Sequence, residues 1–281
     1  MGSSMKDIKL RIKSVESTRQ ITKAMQLVAT SKMRRSKERM ENSRPYHQEA
    51  AKAFQAAIAG CDGGYIPYVT PREVKTRCYV VIAGDRGLAG GYNNNIFKAV
   101  AAMAEDGVPY VVMPVGRKAI DKYTHMGVKC LSEDFLPVAG MPVGRCYQIA
   151  SQLCAAYKAG EFDELVLVWT NFRSMLSQDP RTETLLPLPA VKDETRRPVA
   201  GVIEPDPETM VEAIVPDMLA GILYSAISDA CASENAARRN AMDSATKNAD
   251  GMISSLSLRY NRARQGSITQ EITEIVAGAE K

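Results

Sequence analysis

The two ends of this 281-residue chain are almost free of helix breakers, and the middle is not. Between Met5 and Ala59 there is a single proline, Pro45, and no glycine before Gly60. From Asp217 to Ala277 there is no proline, and the glycines are Gly221, Gly251 and Gly266. Proline and glycine are the residues a helix interior tolerates least, so each end predicts one very long helix. In the first, Ile8, Ile12, Val15, Thr18, Thr22, Met25, Ala29, Met33, Ser36 and Met40 recur at steps of three and four, close to the coiled-coil period. In the second, Ala249, Ile253, Leu256, Tyr260, Ala263 and Ser267 do the same, and Ile268, Ile272 and Ile275 continue one residue out of phase. Small residues at Ala226, Ala230, Ala237, Ala241 and Ala245 admit a closely packed neighbour.

About 50 helical residues extend roughly 75 Å, more than one compact domain accommodates. Seams about 150 residues apart in sequence can meet only if the middle folds back as a separate module. The expectation is a protruding antiparallel pair rather than two ordinary helices on a globular core. The middle predicts that module. Val-rich runs at 78–83, 109–114 and 164–169 read as strands, and the stretches at 94–106, 117–126 and 143–158 read as helices between them. Such alternation is the pattern of a parallel α/β sheet. LLPLPAV (185–191) and PVAGVIEP (198–205) read as later strands leading into the last helix. The divisions expected are 1–62, 63–207 and 208–281.

Hydrophobic residues at 45% and charged residues at 24% supply a sizeable core. The net charge of +4 is uneven: residues 1–52 carry 13 Lys and Arg against 5 Asp and Glu, while residues 232–281 carry 7 against 6. The six cysteines, Cys61, Cys78, Cys130, Cys146, Cys154 and Cys231, are scattered without the spacing of a zinc site or disulfide framework, which fits a reducing cytoplasm. No apolar run is expected to approach the ~18 residues that span a membrane, and MGSSMKDIK lacks a signal peptide's apolar stretch. Met1 to Ser4 reads as an added leader ahead of a native start at Met5.

One stretch invites a nucleotide. AGDRGLAGGYNNN, residues 83–95, follows a strand and opens a helix. Its glycines, Gly84, Gly87, Gly90 and Gly91, lack the tight G-x-G through which a pyrophosphate approaches the backbone. Asp85 would face an incoming phosphate, and Glu105 and Asp106 end a helix rather than a strand. The expectation is a tight turn, with Asn93 to Asn95 capping the helix that follows. Neither His47 nor His125 has the setting of a general base, no G-x-S-x-G occurs, and no cofactor or metal is expected.

The informative stretches are RQITKAMQLVATSKMRRSK (Arg19 to Lys37) and SENAARRNAMDSATKNADGMISSLSLRYNRARQGSITQEITEIVAGA (Ser233 to Ala279). Together, in order and at the expected ends, they closely resemble the γ subunits of rotary F-type ATP synthases. The resemblance runs from about Met5 to Ala279 and is looser in the middle. It implies α/β plus a long antiparallel coiled coil: the terminal helices form a shaft inside a collar of three α and three β subunits. The Rossmann-like central domain forms a foot that meets the ε subunit and the membrane c-ring. It implies a non-catalytic rotor, peripheral at the cytoplasmic face of a bacterial membrane, with no membrane insertion and no nucleic acid. Positions matching the family's collar contacts are Met25, Lys32, Arg34, Arg35, Arg238, Arg264, Gln265 and Thr269. Lys32, Arg35 and Arg39 step by three and four as one basic row that extends a stripe begun by Ile21 and Val28. Arg34 points away, placed to pair with Glu38 at i+4. In the family the carboxyl-terminal end turns in an apolar sleeve, whereas GAEK here is polar.

Two rivals come from other classes. A dinucleotide-dependent enzyme rests on the glycine turn at 84–91 and lacks both the G-x-G and a base. A basic coiled-coil nucleic-acid binder rests on the first helix, but Met33, Ser36 and Met40 carry the seam through the basic run.

Overall fold

The computed structural model describes residues 5–59, 68–132, 134–188 and 206–279. Helix α1 spans Met5–Ala59 and contains Pro45. Strand β1 (Arg77–Ile82), helix α2 (Tyr92–Met103) and a 3-10 turn (Ala104–Asp106) follow. Then come β2 (Tyr110–Val115), α3 (Arg117–His125), α4 (Val143–Lys158), β3 (Glu164–Phe172) and β4 (Gln178–Leu186). Helix α5 runs from Pro207 to Ala279. It begins ten residues before the expected Asp217, because Pro216 lies inside it rather than ending it. A proline removes one helical hydrogen bond and clashes one turn back. Here the flanking Val215, Met218 and Leu219 are buried in the core, and that packing holds the helix through the defect.

The strand order is β2-β1-β3-β4. β1 is parallel to both β2 and β3, as the alternation predicts. β4 is the correction: it pairs antiparallel with β3, Val168 opposite Thr182 and Phe172 opposite Gln178. Only five residues join β3 to β4, and a link that short can return the chain only as a hairpin. The strand expected at 185–191 contributes Leu185 and Leu186 to the end of β4. Its residues 189–191, and the strand expected at 198–205, lie outside the described residues.

Successive side chains along β1 enter opposite faces. Cys78, Val80 and Ile82 join Leu153, Leu165, Val211, Leu219, Leu223 and the α1 residue Phe54 in one core. Tyr79, Val81 and Ala83 join Ile96, Val100, Ala119 and Tyr123 of α2 and α3 in the other. Covered faces on both sides explain why the central strands are continuous apolar runs. The expectation that no apolar stretch approaches spanning length fails in α5, which holds an 18-residue window of mean hydropathy 1.5. Its Val211, Val215, Leu219, Leu223, Ile227 and Ala230 are buried in the first core, so the apolarity belongs to a core helix.

Contacts divide the chain into two units, Met1–Thr30 with Arg238–Lys281 and Ser31–Ala237. The first is an antiparallel helix pair. Three polar links mark its course: Arg19 to Asp250 at 3.2 Å, Thr22 to Thr246 at 2.8 Å and Gln26 to Asp243 at 2.9 Å. Ile8, Ala29, Met242, Ala249 and Leu256 are buried in it, and Ile253, Tyr260, Ala263 and Ser267 are half-buried. Thr18, expected in the seam, is exposed and bonds to its own helix at Ser14 O. Gln26 is buried in its stead.

Gly116, between β2 and α3, has φ +93°, and a Cβ there would stand 2.0 Å from Ala83 O. Gly116→Ala should therefore lower the chain's unfolding free energy on the order of 3 kcal/mol or more. Gly140→Ala shares the positive φ, +80°, but its Cβ would meet nothing within 4 Å, so backbone strain of about 1 kcal/mol is its whole cost. Denaturant midpoints for the two variants check the difference, and equal midpoints would contradict the close packing at Ala83.

Candidate functional site

In open α/β sheets a nucleotide sits outside the carboxyl ends of the strands, where the order reverses, with its phosphates on a helix amino terminus. In this sheet that place lies between β1 and β3, and it is filled by the chain's own helix. Tyr92 Oη donates to Ala230 O at 3.1 Å, and Ser233 Oγ donates to Thr170 O at 3.1 Å. Asp229 accepts the indole N–H of Trp169 at 3.3 Å and the amide of Phe172 at 2.9 Å. Ala230, Ala232, Ser233 and Ala236 are fully buried, so the small residues of α5 are what allow it to lie in the crevice. Burial pushes the Asp229 carboxyl above the usual range, opposed by the Phe172 and Trp169 hydrogen bonds. Burial likewise pushes the Tyr92 phenol well up.

The glycine turn serves this packing. A Cβ on Gly84 would stand 2.7 Å from Glu234 Oε1, so the space beside this glycine is taken up by a side chain of α5. Asn93 does not cap α2, as the sequence had suggested. The N-cap is Gly91, with no side-chain bond, and the Asn93 Oδ1 accepts the Gly84 amide at 2.8 Å. The reason is positional: Asn93 already lies within the first turn of α2, from which its side chain reaches back to the loop. Asp85 turns inward, accepting the amides of Arg117 at 3.4 Å, Val138 at 3.1 Å and Ala139 at 3.3 Å. The Arg117 amide at the start of α3 is thus taken by the chain's own carboxylate, and the Lys118 amide by Gly84 O at 3.0 Å.

The thiols and histidines offer no nucleophile–base pair among the described residues. Cys78, Cys146, Cys154 and Cys231 are buried and free. Burial pushes Cys146 and Cys154 up to about 11, which leaves them protonated at neutral pH. His125 is exposed at the end of α3. Cys61 and the His47 side chain lie outside the described residues. No group of three potential metal ligands occurs among the described residues.

What remains is the outer surface of the long helices. Met25 is half-buried on the seam, beside the buried Gln26 and Ala29. Lys32, Arg34, Arg35 and Arg39 are exposed, while Ser36 among them is buried and donates to Cys231 Sγ at 3.2 Å. Arg34 pairs with Glu38 at 3.1 Å, as its spacing predicts. Lys32, Arg35 and Arg39 form no ion pair among the described residues. Arg238 is half-buried, and Arg264, Gln265 and Thr269 are exposed, with Thr269 Oγ1 donating to Gln265 O at 2.9 Å.

Large apolar side chains are also left in solvent. Leu10, Ile21, Leu27 and Val28 stand outward on α1, and Leu258, Ile268, Ile272, Ile275 and Val276 on α5, with Ile275 71% exposed. Leu10 and Leu27 escaped the sequence reading although their signal was present: they are large apolar residues that miss the seam's period.

A family model described as ATP synthase matches residues 4–281. The chain is 43% identical to an ATP synthase gamma chain of Ruminococcus albus, over 97% of this chain and 96% of that protein. It is 40% identical to one of Alkaliphilus metalliredigens, over 100% and 99%. Its fold superposes on the central stalk/c-ring structure of the Tetrahymena thermophila mitochondrial ATP synthase with a TM-score of 0.63 and 26% identity, covering 80% of this chain and 99% of that one. A core sheet whose nucleotide crevice is filled, a long helix pair with uncovered apolar and basic rows, and full-length similarity agree: the chain belongs to the ATP synthase γ-chain family.

Proposed function

We propose that this chain is the central rotor shaft of an F-type ATP synthase, coupling ion flow through a membrane c-ring to ATP synthesis and hydrolysis in a collar of α and β subunits. The observation that carries it is the outer face of the helix pair. Its seam is spent on the partner helix, yet Leu10, Ile21 and Val28 remain outside. Apolar side chains set out in this way mark a surface that a partner encloses.

In this role residues 1–62 and 208–281 supply the shaft, and 63–207 the foot that meets ε and the c-ring. Met25, Lys32, Arg34, Arg35, Arg39, Arg238, Arg264, Gln265 and Thr269 face the collar or tune its contacts. The complex is membrane-associated, and the chain works from the cytoplasmic face of a bacterial membrane without entering it. A shaft acts by making different contacts at each angle, because a ligand shifts an equilibrium only through differential affinity for its states.

The two rivals lose ground on specific observations. The crevice a dinucleotide would occupy holds Ala230 and Ser233, so an enzyme of that class has no room for its cofactor. The basic run of α1 carries a buried Ser36 through its middle, so one side of it belongs to packing and not to a phosphate backbone. Purified chain should accordingly show no nucleotide-induced rise in melting temperature.

Met25→Lys should impair coupling of hydrolysis to ion pumping more than it impairs assembly. A cation at a half-buried seam position is desolvated on one side and free to seek acidic loops of the collar on the other. Pumping per ATP hydrolysed, measured in vesicles with reconstituted complex, checks this. Normal coupling would leave Met25 a packing residue.

The basic row supplies a sharper test. Lys32, Arg35 and Arg39 recur along one side of α1 and face whatever encloses it. Exposed ion pairs contribute only ~0–1 kcal/mol each, but water excluded by a collar strengthens them. Reversing all three to Glu should lower torque or coupled ATP synthesis by several-fold, with the chain's melting temperature unchanged. The loss should shrink at high salt, where screening weakens both the native attraction and the new repulsion. Unaltered coupling at low salt would reduce the row to a solvated face.

A further inference from the structure

The helix pair of Met5–Thr30 and Arg238–Ala279 has a seam that does not fix its own alignment. Ala245, Ala249, Ala263 and Ser267 are small residues that resemble one another, and Ile253 and Leu256 repeat at the same spacing as Ile8, Ile12 and Val15. Sliding one helix by a heptad, roughly 10 Å, would bring comparable residues together. Against this background stand the three polar links. From Arg19 to Thr22 to Gln26 the steps are three and four, and from Asp250 to Thr246 to Asp243 they are four and three. They are successive rungs of one antiparallel alignment.

The rungs are not surface decoration. Thr22 and Gln26 are buried, with Gln26 only 7% exposed. Its Nε2 donates to Asp243 Oδ1 at 2.9 Å, and the same carboxylate holds Lys247 at 2.8 Å. The Gln26 Oε1 is buried with no partner among the described residues, a cost that an apolar residue of similar shape would not carry. Polar groups that cost stability at a coiled-coil seam are the devices that specify register.

We propose that Arg19–Asp250, Thr22–Thr246 and Gln26–Asp243 are together the register-determining contacts of this helix pair. A heptad slip in one direction leaves Gln26 opposite an alanine, seven residues before Asp243, and sets Thr22 against Arg239. In the other direction Thr22 meets Ile253 and Arg19 meets Ser257, while Gln26 meets Asp250. Each slip keeps one carboxylate link, Arg19 to Asp243 or Gln26 to Asp250, and loses the other two rungs. The native alignment satisfies all three rungs at once. In the rotor role this register sets the level at which Met25 stands relative to Arg264. The register itself follows from the pair alone, so it and the rotor function can fail separately.

The test is a distance measurement on the full chain. Nitroxides on ketone-bearing residues introduced at the exposed Lys9 and Asn248, about three turns apart along the pair, report axial displacement without touching the native cysteines. Wild type should give one distance. The variant Thr22→Val, Thr246→Val, Gln26→Leu, Asp243→Leu should give additional populations displaced by roughly 10 Å, with a melting temperature equal to or above wild type. Exchanging the rungs (Thr22→Gln, Thr246→Asp, Gln26→Thr, Asp243→Thr) should restore a single distance. A single wild-type distance in the apolar variant would overturn the proposal. So would a melting temperature well below wild type, since the rungs would then supply stability rather than select a register. The same variant assembled with α and β separates the two claims: shifted distances with unaltered coupling leave the register and dismiss its part in rotation.

Discussion

Neither long helix has a wide apolar face, and the structure depends on how each narrow stripe is covered. Helical stability in proteins comes mainly from tertiary packing of an apolar stripe. In the unit of Ser31–Ala237 that packing is generous. Phe54 of α1 and Val211, Leu219 and Leu223 of α5 are buried on the sheet, and a buried Leu or Phe side chain contributes roughly 1.5–3 kcal/mol. In the unit of Met5–Thr30 and Arg238–Ala279 the buried positions are instead Ala29, Thr22, Gln26 and Ala249, with larger anchors only at Ile8, Met242 and Leu256. Small residues bring the helix axes close and bury little area. That stretch is therefore thin and lightly stabilised, and its outward Leu10, Ile21 and Val28 are the surface on which a surrounding partner would add what the seam lacks.

The same small residues let a helix fill the crevice of a nucleotide-binding architecture. A parallel sheet with helices on both faces creates a crevice wherever its strand order reverses, and the crevice must be occupied or solvated. Here α5 fills it, and the polar groups at the strand ends are satisfied from that helix. The Thr170 carbonyl takes the Ser233 hydroxyl, and the Phe172 amide takes Asp229. The Glu234 side chain fills the space beside Gly84. The features that resemble a phosphate turn are, atom by atom, the seat of a helix. A carboxylate at Asp85 completes it by occupying the amides of Val138 and Ala139.

Long-period features were the legible ones. The two long helices, the three parallel strands, the burial of Ala249 and Leu256 and the half-burial of Ile253, Tyr260, Ala263 and Ser267 all follow from repetition over many residues, which local noise cannot erase. The misreadings are places where tertiary packing outweighs a local rule. Pro216 reads as a boundary because proline ordinarily ends a helix, and core burial on either side overrides it. Of β4 only Leu185 and Leu186 read as strand, because they alone of QDPRTETLL are buried and the rest carries no apolar alternation. Gln26 gives no apolar signal in the sequence, although it is buried in the pair and bonds to Asp243. Asn93 reads as a cap by its type, whereas its bond to Gly84 depends on the loop's three-dimensional path. Collar contacts have no signature in one chain beyond exposure and charge, so they rest on family resemblance.

An element that biases a ring of neighbours by turning must look different from different sides, and it must not slip along its own axis. Composition alone supplies the first requirement. α1 exposes apolar side chains at Leu10, Ile21 and Val28 and then cations at Lys32, Arg35 and Arg39. α5 exposes Arg264 and Gln265 and then the isoleucines at 268, 272 and 275. Hydrophobic contact depends weakly on direction, whereas charge contact depends strongly on what stands opposite. A surface that carries both therefore has distinct angular and axial preferences. The second requirement conflicts with the close packing of small residues, because a seam of alanines is nearly indifferent to translation. Paired polar groups resolve the conflict at a cost in stability: they leave the axes close together and single out one alignment. The buried Gln26 and Thr22 stand where a purely apolar seam would be more stable and less specific.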